Sequence, residues 1–144
     1  MDINIFVQLI IAIIMFASVV LIYMTIRSNK ILNQNILFNE FVKQEIGLRI
    51  KLQEYRKDIH SREENGDSSK EIMLDYDTLL FGYYEYLAIC LYKKLVNEND
   101  VGLYFKISLK EVKFFFDKSL LFIEGYAEEY EYPGLRWLFK RWDI

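Results

Sequence analysis

Residues 5 to 26 read IFVQLIIAIIMFASVVLIYMTI, twenty-two positions without a charge. Gln8, Ser18 and Thr25 are the main polar interruptions. As an α-helix the run extends about 33 Å at 1.5 Å per residue, enough to cross a hydrocarbon core of about 30 Å. A cleaved signal peptide needs a basic leading region and a small-x-small cleavage site. Here Asp2 stands ahead of the run and no such site follows it. Core helices of water-soluble domains seldom run this long without one charge. The segment predicts a retained transmembrane helix over 5–26, preceded by a short extracytoplasmic N-terminus over 1–4.

Charge sets the expected orientation. Only Asp2 precedes the span, whereas residues 27 to 62 hold eight basic and four acidic side chains. Basic residues are retained on the cytoplasmic side, which puts the N-terminus outside and the C-terminus in the cytoplasm. From 63 to 144 the balance reverses to ten basic against sixteen acidic residues. The chain is thus basic next to the expected bilayer and acidic far from it, so the stem suits anionic headgroups and the distal part is repelled by them.

The remaining composition narrows the class. Hydrophobic residues make up 53% and aromatic residues 17% of the 144 positions, too many for a disordered chain or a linker. A net charge of −3 argues against a dedicated nucleic-acid binder. One Cys and one His leave no internal disulfide and no Cys- or His-cluster metal site. We therefore expect no cofactor.

Past the span the pattern is helical throughout. A basic helical stem is predicted over 27–60. Leu48, Leu52, Tyr55 and Ile59 make its stripe, Ile31, Phe38, Phe41 and Val42 begin a similar one upstream, and Glu45–Arg49 and Asp58–Arg62 form i,i+4 pairs on the exposed side. Gly47 marks a possible bend, and Asn29, Asn33, Gln34 and Asn35 a break from the membrane helix. A flexible loop is predicted over 61–71 around Gly66, with His60 solvated at its start. The helical domain then fills 72–144. Its central helix runs from about 75 to 96, with Cys90 read as a small buried residue of a reducing compartment. NENDVG at 97–102 ends that helix. Ser108 and Glu111 form a capping box for the next, whose core face (Val112, Phe115, Phe116, Ser119, Leu120, Ile123, Ala127) runs to about Tyr130. Pro133 opens a short closing helix with Leu135, Leu138, Phe139 and Trp142 on one face. The expected fold is all-α: one N-terminal transmembrane helix and a cytosolic bundle of three or four helices.

No catalytic constellation is legible: there is no phosphate loop, nucleophile elbow or metal-ligand spacing. Asp75 and Asp77 read as cap and dipole partner of a helix start. Glu85 interrupts FGYYEYLAICLY, flanked by Gly82 and Ala88, where an unpaired charge is costly. Its expected partner is Arg136 or Arg141. Trp137 and Trp142 either close the core or, with Lys140 and Arg141, settle at a membrane surface. The acidic distal charge and the shortness of the segment favour core closure.

The stretch DTLLFGYYEYLA, residues 77–88, and the ending YPGLRWLFKRW, residues 132–142, resemble a family of small bacterial membrane-anchored proteins of uncharacterised activity. In that family a helix with a Phe/Tyr-x-x-Glu-x-x-Ala motif pairs with a segment around Pro and Trp-Leu. The matching positions are Glu85, Ala88, Pro133, Trp137 and Leu138, and the resemblance covers about 72 to 142. It implies a bacterial inner-membrane protein and brings no activity, substrate or catalytic residue. Some such proteins accompany phage-defence or toxin systems.

Two functions fit. One is a membrane-tethered interaction or regulatory module whose partners are the lipid bilayer and a cytosolic protein or a second copy of itself, with no nucleic acid and no catalysis. The other is a membrane-disrupting effector acting as an oligomer through Gln8, Ser18 and Thr25.

Overall fold

In the computed structural model, residues 3–128 and 131–144 are described, and among them the chain is all-helical. Met1, Asp2, Glu129 and Tyr130 lie outside the described residues, and with them Asp2 of the expected N-terminal arm and the expected helix end near Tyr130. Five helices follow one another: α1 (Ile3–Glu64), α2 (Lys70–Tyr92), α3 (Glu98–Lys118), the single turn α4 (Leu120–Ile123) and α5 (Pro133–Trp142). The chain divides into two compact units, 1–36 and 37–144.

The first unit is helical from Ile3 onward. Its apolar side chains from Ile10 to Ile36 are exposed, Phe16 at 73% among them, and none of the best 18-residue apolar window is buried. This helix is long and apolar enough to cross a membrane. Ser18 Oγ donates to the Ile14 carbonyl at 2.8 Å and Thr25 Oγ1 to the Leu21 carbonyl at 2.9 Å, so both hydroxyls are satisfied inside their own helix. The break expected near Asn29 to Asn35 does not occur, and the helix also continues through Gly47. Asn and Gln cost only tenths of a kcal/mol in a helix, too little to end one whose neighbours favour it.

The second unit is built around α2. Phe81, Leu87 and Ala88 are fully buried on it, and Leu80 and Leu91 nearly so. α3 brings Val101, Phe105, Leu109, Val112 and Phe116 against it, at spacings of four, four, three and four that keep one face inward. Helix α5 packs on α2 and adds Leu135, Leu138 and Phe139. Phe81, Phe116, Phe122 and Tyr132 form an aromatic cluster with centroids 4.6 to 6.3 Å apart, Phe81 and Phe122 stacked and Tyr132 edge-on to the other three. From α1, Phe41, Glu45, Leu48 and Leu52 complete the core.

Several expected boundaries move. α1 continues to Glu64 and α2 begins at Lys70, leaving only residues 65–69 as the turn, with Gly66 at φ 76°. Asp75 and Asp77 therefore lie inside α2, not at its start. Asn97 does not end a helix but starts α3: its side chain accepts from the Asn99 and Asp100 amides at 2.8 and 3.4 Å. The Ser108–Glu111 capping box consequently falls in mid-helix, where backbone N–H groups already have partners. The helix expected to pass through Ser119 stops there. Ser119 Oγ accepts from the Leu121 amide at 3.2 Å to start α4 and donates to the Asp77 carboxyl on α2. Leu121 is buried in place of Leu120, and Ile123 is 67% exposed.

Candidate functional site

The residues singled out in the second half of the chain meet along the seam of α2, α3 and α5, in two separate clasps. Tyr132, left-handed at φ 59°, precedes Pro133 and gives α5 no side-chain cap. Glu85 supplies it from α2: Gly134 N–H donates to Oε1 at 2.8 Å and Leu135 N–H to Oε2 at 2.7 Å. A carboxylate on the positive end of a helix is a favourable arrangement. The expected pairing of Glu85 with Arg136 or Arg141 is thus replaced by pairing with backbone. Arg136 instead lies over Phe116 and Phe122, at 4.9 and 5.3 Å from their centroids, and its Nε donates to the Glu131 carbonyl at 3.1 Å. Arg141 forms the second clasp, a two-pronged contact with Glu98 at 2.7 Å per bond, and Trp142 Nε1 donates to the same carboxylate at 3.1 Å. These donors hold the Glu98 pKa down, at about 2. Trp137 packs edge-on to Tyr92 with centroids 5.2 Å apart.

A different polar group sits where α1, α2 and α3 converge. Glu45 is 1% exposed. Its Oε1 accepts from Arg49 Nη2 and Tyr84 OH, both at 2.9 Å, and from Ser108 Oγ at 3.2 Å, while Oε2 is buried without a hydrogen-bond partner. Arg49 Nη2 also reaches Ser108 Oγ at 3.1 Å, so one ring of contacts ties the three helices. Beside it Tyr83 OH donates to the Phe41 carbonyl at 2.6 Å. Burial pushes both phenols, Tyr83 and Tyr84, well above the ordinary tyrosine range, and they remain protonated donors.

Next to this ring, α1 and α3 leave a cavity of about 190 Å³ over α2. Leu48 and Leu52 wall it from α1, Val112 and Phe115 from α3, and Leu80 floors it. Arg56 stands at its edge, donating to Tyr76 OH at 2.8 Å with its guanidinium 5.6 Å from that ring. The sequence alone suggests an exposed Glu45–Arg49 pair and a cap at Ser108, and marks neither them nor Arg56 as a site. The available signal was spacing: 41, 45, 48 and 52 follow a four-three-four rhythm that places Glu45 on the buried stripe.

Among the described residues no three His, Cys, Asp or Glu side chains gather as a metal would require. Cys90 is buried, and burial pushes its thiol pKa up, so it is a poor nucleophile there. His60 is exposed, its Nε2 3.2 Å from a Glu64 oxygen. Compared with known proteins, the chain matches no protein-family model, no curated protein and no solved structure.

Proposed function

We propose that the protein is a single-pass, membrane-tethered helical module of a bacterial inner membrane, binding a cytosolic protein partner or a second copy of itself and performing no catalysis. The observation that carries the reading is the contrast between the two units: an apolar helix with no buried residue in its best window, and a separately packed unit with its own core. Exposed apolar surface on this scale is costly in water and matched in lipid. The basic residues after the span support an N-terminus outside and a C-terminus in the cytoplasm. Leu103, Ile107 and Phe114 on α3, at 88%, 77% and 56% exposure, support a contact with another protein.

The test is a pair of fusions after Ile144. A reporter active only in the cytoplasm should work and one active only outside should be silent, with the chain staying in the membrane fraction after alkaline extraction. The opposite reporter pattern overturns the orientation, and release by alkali overturns the tether. The effector reading is the weaker one, since Ser18 and Thr25 use their hydroxyl donors inside their own helix. It requires that induction depolarise the cell, and the tether reading requires that it does not.

A further inference from the structure

The cavity between α1 and α3 combines apolar walls, Leu52, Leu80, Val112 and Phe115, with polar ones, Gln53, Ser108 and Arg56 among them. Arg49, which also lines it, is paired with Glu45. Arg56 makes no ion pair among the described residues, and its bond to Tyr76 OH orients the guanidinium without neutralising it. A second, more open cavity of about 470 Å³ shares Arg56 and Phe115 with the first and adds Lys110, which makes no ion pair among the described residues either. Glu111 lines both spaces, and it is a single exposed carboxylate against two such cations.

Size completes the argument. A space of about 150 Å³ holds one benzene ring, so the cavity of about 190 Å³ takes one ring or a short branched chain against its apolar wall of Leu52, Leu80, Val112 and Phe115. A head group on that ring then lies beside Arg56, in the wider space with Lys110. A guanidinium recognises phosphate or carboxylate oxygens by paired hydrogen bonds. We infer that this cavity binds a small organic anion, an apolar group of about one ring bearing a phosphate or carboxylate, with Arg56 as the residue that recognises the charge. Every residue involved lies within 37–144, and the site stands whether or not the apolar helix crosses a membrane.

The experiment is calorimetric titration of the full-length chain, held in discs of uncharged phosphatidylcholine, with phenyl phosphate. Binding is expected, with phenol and inorganic phosphate each at least tenfold weaker, because each supplies only one half of the recognition. Arg56→Gln should weaken phenyl phosphate at least tenfold, and Arg62→Gln, on α1 outside the cavity, should leave it unchanged. Arg56 is exposed, so its replacement leaves the core intact, and an unchanged far-UV circular dichroism spectrum checks this. Absence of binding at millimolar phenyl phosphate overturns the inference. So does equal binding of benzylammonium, equal binding of inorganic phosphate, or an Arg56→Gln variant that binds like the parent.

Discussion

Glu98 shows how one side chain in the first turn of α3 can secure the end of the chain. Its carboxylate meets the helix dipole, both prongs of Arg141 and the indole N–H of Trp142. The Arg141 hydrogen bonds are the largest cause of the lowered pKa, near 2 against an ordinary 4.5. A depressed carboxylate pKa adds stability above the unfolded value, and that stability is lost as pH falls through the folded one. Both partners are nearly half exposed, which screens the pair and limits its worth to about 1 kcal/mol. Glu98→Gln should therefore lower the melting temperature by about 3 °C at pH 7, and the gap should close between pH 4.5 and 2. A gap that persists at pH 2, followed by circular dichroism, would assign the effect to lost packing. Asp77 shifts the other way, because burial raises its pKa more than the Ser119 hydrogen bond lowers it. Neither behaviour was legible in the sequence. Glu98 and Arg141 are 43 positions apart, and Asp77 and Ser119 are 42 apart, so no local spacing connects them.

At the scale of the element, α5 is the clearest case of a helix made by its neighbours. Ten residues are too few to hold a helix alone, and Tyr132 enters it in a left-handed conformation that costs about 1 kcal/mol for a residue with a Cβ. Packing of Leu135, Leu138 and Phe139 and the cap from Glu85 offset that cost. The closing helix, its Pro133 start and its apolar face were legible, because proline chemistry and a short helical stripe are local signals. The cap was not, because the sequence marks Glu85 as a charge needing a partner and does not say that the partner is backbone. Gly134 follows from the same contact: a Cβ there would stand 2.9 Å from Glu85 Oε1. Glu85→Ala should cost about 2 kcal/mol by stranding two N–H groups. Gly134→Ala alone should destabilise, although alanine is the better helix former by about 1 kcal/mol. In the Glu85→Ala background the same change should stabilise, since the obstructing carboxylate is gone. Chemical denaturation of the four proteins checks this reversal of sign, and simple additivity would show that the two residues do not meet.

For the whole molecule, the consequence lies in where the core begins. Every residue found buried among the described ones is Phe41 or later, although apolar residues are densest before position 27. Among the described residues the richest hydrophobic stretch of the chain thus contributes no side chain to its core, which is the opposite of what a water-soluble protein of this composition would do. On the proposed reading the chain meets two requirements: a helix matched to lipid needs uniform apolarity, whereas the folded unit needs apolar stripes at helical spacing, which α3 and α5 have. A fragment of residues 37–144 retains all the core side chains of α1 to α5, the Glu45 ring and both clasps at the end of the chain. Its 108 residues are enough for an independent core. This fragment should be soluble without detergent and strongly helical, and should melt in one cooperative transition. Its circular dichroism at 222 nm and its near-ultraviolet signal from Trp137 and Trp142 should be lost together. A fragment that stays helical but loses the near-ultraviolet signal and binds a hydrophobic dye would be a molten state. That result would mean that residues 1–36 are required for the packing of the rest.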